Sequence, residues 1–244
     1  MPTRWKVSYT FSGAVDVQNP IVAYDSIGVS LYYNGNNKLI RVEHELDVDN
    51  LLEKYEVINT SQEQLKFFWE LLHYQRGISL PISHLTVEII NPATGVRPIR
   101  TGVATIISHA AICRSIKMPD PRVFKLENNR LLVWFRLANE ARDSKSAVDA
   151  IRNYYMIWED SHGVPTKANA PKEAIELKFV RDFVSHGLKL ENPELLKFIE
   201  DQFGKSINQF DPTDAVQQDF VNRYRTLGRN LVETELDRLL ELYL

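Results

Sequence analysis

The chain has 244 residues, of which 44% are hydrophobic and 25% are charged, and its formal net charge is -3. This length allows one large domain or two small ones with a real core, and the overall charge excludes a global positive field that would attract nucleic acid. The single cysteine excludes an intrachain disulfide and a cysteine-rich zinc site. Without an apolar leader or about 20 consecutive apolar residues, we expect a cytoplasmic protein that makes no membrane contact.

The first segments of the chain are predicted to be strands. Between Trp5 and Phe11 apolar and polar side chains alternate, which is typical of a half-buried strand. Residues 27–33 and 38–46 are also strand-like, and the Asn-Gly-Asn-Asn sequence at 34–37 tolerates the positive φ of a tight turn. These segments together predict a β-hairpin.

A helix and two further strands are predicted to follow the hairpin. Ser61 and Gln64 match a capping box, and apolar residues spaced i, i+3, i+4 and i+7 from Leu65 predict an amphipathic helix. Gly77 is expected to end that helix. Residues 85–90 and 103–116 are rich in β-branched side chains and are expected to form strands.

After a boundary at about residues 117–128 the apolar spacing becomes helical. Five helices are predicted: residues 130–141, residues 146–160, one from Pro171 to near Gly187, a short one from Pro193 to Gly204, and one from Asp211 or Thr213 to the end. The third should bury Ile175, Phe179, Phe183 and Val184. The fifth should bury a stripe from Val216 to Leu231, and Gly228 within it permits a bend. The predicted class is α+β, with a β-rich domain at 1–118 that contains one or two helices and an all-α bundle at 124–244.

No metal site is predicted from the histidines. His44 lies between Glu43 and Glu45 in a predicted strand, and alternation places its side chain on the face opposite to both carboxylates. The other histidines lack partners at the spacing that metal ligands require. The sequence therefore predicts neither a metal nor another cofactor.

The candidate for chemistry is a short segment late in the third predicted helix, where Arg181 and Asp182 precede His186. Arg181 and His186 lie about 140° apart around a helix and about 7.5 Å apart along it. They can face one phosphate only if their side chains curl toward each other or a second copy of the chain completes the site. Asp182 can contact His186 one turn on and favour its protonated form, and a guanidinium binds phosphate through two hydrogen bonds.

With two neighbouring segments, these residues resemble the HEPN family, the higher eukaryotes and prokaryotes nucleotide-binding domains. Many HEPN domains carry an arginine, a small polar residue and, after four to six intervening positions, a histidine. Arg181, Asp182 and His186 fit this pattern with four intervening residues. Residues 137–141 (Leu-Ala-Asn-Glu-Ala) and 154–159 (Tyr-Tyr-Met-Ile-Trp-Glu) resemble the A-x-E-A and (R/Y)-x-x-E patterns of the Apea-like branch. The resemblance covers roughly residues 124–244 and leaves the N-terminal half unassigned.

The resemblance implies a bundle of four or five helices and, in members that are ribonucleases, a homodimer that brings two motifs into one cleft. The implied function is an RNA-associated protein that cleaves RNA without a metal or cofactor, in bacterial defence or a stress response. The 2′-hydroxyl would attack the adjacent phosphate. Arg181 would stabilise the developing charge and His186 would move protons, with Asp182, Glu159 and Tyr154 as supporting residues.

The same residues also suit an interpretation without chemistry. Arginine and histidine near the end of a helix favour its negative terminus, typically by ~0.3–1 kcal/mol. Arg181, Asp182 and His186 would then form a solvated face. On this alternative the bundle is a non-catalytic module for dimerisation or for binding a ligand or nucleotide.

Overall fold

The computed structural model describes residues 3–48, 54–77, 82–90, 116–120, 123–124, 129–185 and 190–241. The chain divides into two compact units, and the boundary lies between Leu132 and Val133. The described part of the first unit contains an antiparallel sheet with helices, and that of the second consists of helices and loops. The predicted α+β class is therefore confirmed. None of the described helices is long and apolar enough to cross a bilayer.

The first unit, called the sheet unit below, is built on five described strands. They are arranged in the order β2-β3-β4-β1-β5, and every neighbouring pair is antiparallel. Its elements are β1 (Thr3–Asp16), β2 (Ala23–Tyr24), a short 3-10 helix (Asp25–Ile27), β3 (Val29–Tyr33), β4 (Lys38–Val48), α1 (Lys54–Gln64), α2 (Lys66–Arg76) and β5 (Ile82–Ile89).

The alternation at the start of the chain places one face of β1 in the core of the sheet unit. The apolar side chains from Trp5 to Phe11 are all buried, and the Tyr9 ring packs edge-on against Trp69 of α2 with 4.9 Å between ring centroids. The predicted hairpin is confirmed because β3 pairs with β4, and Asn37 takes the positive φ of 56° in the turn.

Ser61 is not a helix cap, and the capping-box prediction was wrong. Helix α1 begins at Lys54, before the predicted start, and Ser61 lies within it as a fully buried residue. Its Oγ lies 2.7 Å from the Tyr9 hydroxyl and 2.8 Å from His44 Nδ1. Ser61 therefore bonds across the core to two strands, which the local pattern could not reveal.

The end of the helical segment agrees with the prediction. Helix α2 ends at Arg76, and Gly77 follows with a left-handed φ of 85° and its N–H bonded to the His73 carbonyl. The predicted strand at 103–116 lies outside the described residues except for Ile116, which forms a parallel bridge with Val17.

The second unit, called the helical unit below, contains five described helices, the first of which begins in the last residues of the first unit. Ser146 caps α4, and Gly204 ends α6 with a left-handed φ of 65°. The helices are α3 (Asn129–Asp143), α4 (Ala147–His162), α5 (Lys172–Ser185), α6 (Pro193–Phe203) and α7 (Ala215–Glu241).

Gly228 lets α7 pack closely against two other helices. A Cβ at this position would lie 3.0 Å from Leu177 Cδ1 of α5 and 3.3 Å from Tyr154 Cβ of α4. The described helix runs without interruption through this position. The glycine therefore marks a close approach of helices, where the sequence had suggested a bend.

Two details of the predicted helical core were wrong. Ile175 and Phe179 are only half-buried. Helix α5 instead buries Ala174, Leu177 and Val180 together with the predicted Phe183 and Val184. Val216, placed at the start of the buried stripe of α7, is 65% exposed. The helical periods were read correctly, but the angular position of each buried face depends on neighbours far along the chain.

Candidate functional site

Arg181 lies on α5 at the edge of the buried face. The preceding Val180 and the following Phe183 are fully buried and anchor the helix in the core. The side chains of Arg181 and Asp182 are 27% and 15% exposed. Their charged groups therefore lie at the border between the core and solvent, where an arginine can bury its stem and keep its guanidinium accessible.

The Arg181 guanidinium is held from two sides. Its central carbon lies 4.1 Å from the centroid of the Tyr155 ring on α4, and its Nη1 lies 3.0 Å from Asp182 Oδ1. Burial raises the pKa of the Tyr155 hydroxyl, and the hydrogen bond and charge of Arg181 oppose that rise. Stacking on an aromatic face and pairing with a carboxylate fix the plane of a guanidinium.

Glu159 joins this arrangement through Tyr155. The Tyr155 hydroxyl donates a hydrogen bond of 3.0 Å to Glu159 Oε1, one turn along α4. Glu159 is half-buried. Its carboxylate is therefore connected to Arg181 through the tyrosine.

Arg152 of α4, which the sequence had not singled out, lies beside the C-terminal end of α5. Its Nη2 donates to the Val184 carbonyl and its Nε donates to Ser185 Oγ, both at 3.2 Å. Its Nη1 also reaches Asp149 at 3.4 Å. These contacts bind the carbonyl end of α5, where a cation is favourable. Arg152, Tyr155 and Glu159 share one face of α4 by their spacing, which is the signal that could have identified Arg152.

We call this group the α4–α5 seam. It comprises Asp149, Arg152, Tyr155 and Glu159 of α4 and Arg181, Asp182 and Ser185 of α5. The predicted His186 follows Ser185 directly in the chain but lies outside the described residues. Its proximity to the Arg181 guanidinium therefore stays a prediction.

Tyr154 lies apart from the seam. It is 1% exposed and packs where α7 passes at Gly228. Burial raises the pKa of its hydroxyl, and the charge of Glu233 raises it further. Consecutive residues of a helix point about 100° apart, so Tyr154 faces α7 while Tyr155 faces α5. Of the two tyrosines, Tyr155 is the one that contacts Arg181.

The charges of the seam limit what it can do chemically. Arg152 and Arg181 supply two guanidinium groups, and Asp149, Glu159 and Asp182 supply three carboxylates. Arginine forks can bind phosphate oxygens, but here each already contacts a carboxylate. Across the described ranges, no group of three or more histidine, cysteine, aspartate or glutamate side chains could hold a metal ion.

The resemblance to the HEPN family rests on residues that the structure places on three helices. Residues 137–141 lie in α3, residues 154–159 in α4, and Arg181 with Asp182 in α5. Of these, four residues belong to the α4–α5 seam: Tyr155, Glu159, Arg181 and Asp182. No protein-family model, curated protein or solved structure gives a significant match to this chain.

Proposed function

We propose that the helical unit binds RNA and cleaves it as a metal-independent endoribonuclease of the HEPN type. The observation that carries this proposal is the fixed Arg181 guanidinium. It is stacked 4.1 Å over Tyr155, paired with Asp182 and still 27% exposed. A phosphate oxygen can reach an arginine in this setting without reorganising it, and a preorganised charge is what stabilises a transition state.

Each group in the reaction has a defined task. The RNA 2′-oxygen loses its proton and forms a bond to the adjacent phosphorus, the bond from phosphorus to the 5′-oxygen breaks, and that oxygen gains a proton. The products are a 2′,3′-cyclic phosphate and a 5′-hydroxyl, and no water is consumed. Arg181 stabilises the charge on the phosphate oxygens, and His186 moves the protons.

A second copy of the chain is part of this proposal. One proton leaves the 2′-hydroxyl while another reaches the leaving oxygen, so the reaction benefits from an acid and a base together. Each copy of the sequence motif offers a single histidine, His186, directly after Ser185. A two-fold axis would bring two copies of the motif together. The functional form we propose is therefore a homodimer that pairs the two seams.

The test is RNA cleavage in the presence of EDTA by the full chain and three variants. Arg181→Gln and His186→Ala should each lower the rate by about a hundredfold or more, because one removes the charge on the phosphate and the other the proton carrier. Lys197→Gln is the matched control, since Lys197 is an exposed cation on α6 outside the seam. Equal cleavage by the wild type and both site variants would contradict the assignment.

The charge balance of the seam favours a second candidate function. Arg181 is already paired with Asp182, and the seam holds one carboxylate more than its guanidinium groups. Such a cluster also suits a non-catalytic dimerisation module. If the wild type forms dimers but cleaves neither structured nor unstructured RNA, this second function replaces the first.

A further inference from the structure

The sheet unit contains a second site, a cavity of 500 Å³ on the face of the sheet that is opposite to the core. Alternation along β1 buries the side chains of Trp5, Val7 and Tyr9 in the core and directs those of Ser8 and Thr10 to this face. All nine side chains that line the cavity carry a polar group. The volume lies in the range of pockets that bind small organic molecules, and the lining suits a polar ligand.

The strand register sets three of these residues side by side. Thr10 is the direct partner of Arg41 on β4 and of His84 on β5. Direct partners on one face of an antiparallel pair have Cβ atoms about 5 Å apart. Arg41 and His84 therefore flank the Thr10 side chain, one from each neighbouring strand.

Arg41 is held from two sides and still has free hydrogen-bond donors. Its guanidinium carbon lies 4.1 Å from the centroid of the Tyr32 ring, and its Nε lies 3.3 Å from Glu43 Oε1. The side chain is 42% exposed, and its two terminal nitrogens form no hydrogen bond within the described residues. A guanidinium fixed in this way presents a fork that matches two phosphate oxygens.

The two neighbours of Arg41 in this row are also free to bind. Among the described residues, neither the Thr10 hydroxyl nor the His84 ring forms a hydrogen bond or an ion pair, and His84 is exposed. A hydroxyl and an imidazole can each donate to an anion. An anionic group above Thr10 would therefore meet donors from three strands. A phosphate, which has more oxygens than a carboxylate, can use all of them.

The carboxylates of the cavity are already neutralised within it. Glu43 is 8% exposed and accepts hydrogen bonds from the Tyr32 hydroxyl at 2.7 Å and from Ser8 Oγ at 3.4 Å. Lys6 Nζ lies 3.8 Å from Glu43 and 3.5 Å from Glu88. Because Lys6 supplies the cation that these carboxylates need, a ligand need not bring a positive charge to this end.

Hydroxyl groups suit the part of the cavity beyond the Thr10 row. Thr86 is the direct partner of Ser8, and its hydroxyl forms no hydrogen bond within the described residues. Glu88, one pleat further along β5, is paired with Lys6. A sugar hydroxyl can donate to the carboxylate and accept from the ammonium or from the threonine.

We propose that this cavity binds a sugar phosphate, with the phosphate at Arg41, Thr10 and His84 and the sugar hydroxyls directed to Thr86 and Glu88. The inference does not rest on RNA cleavage by the helical unit.

Calorimetric titrations of the full chain with glucose 6-phosphate, glucose and inorganic phosphate separate the two parts of the ligand. Glucose 6-phosphate should bind saturably. Inorganic phosphate should bind several-fold more weakly and glucose about a hundredfold more weakly, from the usual strength of neutral and charged hydrogen bonds. Equal affinities for glucose 6-phosphate and either of the other probes would overturn the proposal.

Nucleic acid is the other source of phosphate groups, and a competitor distinguishes it. A short oligodeoxyribonucleotide without terminal phosphates offers phosphodiesters but has no 2′-hydroxyl that the helical unit could activate. This competitor should not displace glucose 6-phosphate. Displacement at comparable concentrations would reassign the cavity to nucleic acid and overturn the proposal.

Three variants assign the binding to residues. Arg41→Gln should weaken binding of both glucose 6-phosphate and inorganic phosphate by about tenfold or more, because it removes a charged donor. Thr86→Val should weaken only glucose 6-phosphate, by several-fold. Arg4→Gln is the matched control and should change neither affinity, because Arg4 lies on the same strand as Thr10 but pairs with Asp47 outside the cavity.

A fourth variant keeps the test decisive if Arg41→Gln fails to fold. His84 is exposed, so His84→Ala should fold, and it should weaken phosphate binding by several-fold. No saturable binding of glucose 6-phosphate to the wild type, or an unchanged phosphate affinity in folded Arg41→Gln or His84→Ala, would overturn the proposal.

Discussion

Acidification should destabilise the sheet unit through His44. The ring is 2% exposed, its Nδ1 lies 2.8 Å from Ser61 Oγ, and burial lowers its pKa from 6.5 to about 4. Between these two pH values the unfolded chain binds a proton that the folded chain does not. The free energy of unfolding therefore falls as the pH drops from 6.5 to 4. The pKa difference of about 2.5 units corresponds to about 3 kcal/mol.

The assay is urea unfolding of the wild type and of His44→Gln at several values between pH 7 and pH 4. Glutamine keeps a group that can hydrogen-bond to Ser61 but cannot titrate. Other groups contribute to the pH dependence of both proteins, so the difference between the two curves isolates His44. The wild type should lose about 3 kcal/mol more than the variant over this range.

Direct titration of the His44 ring by NMR gives an independent reading. The resonance is assigned by its absence in His44→Gln. A ring that titrates near 6.5 in the folded protein would show that burial does not lower the His44 pKa. A variant that keeps the full loss of stability in acid would show that His44 does not cause that loss.

Four substitutions test the packing and caps by chemical denaturation. Gly228→Ala should destabilise the helical unit by about 1–2 kcal/mol, because a Cβ 3.3 Å from Tyr154 Cβ overpacks the helices by more than the gain in helix propensity. Gly13→Ala, where a Cβ would meet no atom within 4 Å, should leave stability nearly unchanged. Ser146→Ala should lose about 1 kcal/mol with the cap bond of 3.2 Å. Arg225→Gln should lose about 1–2 kcal/mol, because its guanidinium bonds three carbonyls at the C-terminal end of α3, those of Ala141, Arg142 and Ser144, at 2.8–3.3 Å. Equal changes in the free energy of unfolding for Gly228→Ala and Gly13→Ala would contradict the close packing at Gly228. Unchanged unfolding midpoints for Ser146→Ala and Arg225→Gln would contradict the hydrogen bonds at those helix ends.

Local patterns predicted most of the described strands and helices. Alternation around Tyr9 and the turn ending at Asn37 depend on neighbours close in sequence, and both features are present. The capping-box prediction at Ser61 failed because the side chain's partners, Tyr9 and His44, lie on strands of the sheet. A serine followed by glutamine three residues later resembles a cap whether or not the chain is already helical.

The candidate site was also predictable only in part, because its contacts join residues that are far apart in the sequence. The sequence identified Arg181, Asp182 and Glu159, which the structure places in one seam. It preferred Tyr154 to Tyr155 because a motif fixes positions along the chain but not the rotation of the helix against its neighbours.

We propose that the α4–α5 seam, with His186, directs the RNA 2′-hydroxyl to attack the adjacent phosphate. The chemical identity of the RNA ends tests it most directly. After incubation with the wild-type chain in EDTA, mass spectrometry should find a 2′,3′-cyclic phosphate and a 5′-hydroxyl, and His186→Ala should form both about a hundredfold more slowly. Uncleaved RNA, or fragments that carry a 3′-hydroxyl and a 5′-phosphate, would contradict the proposed reaction.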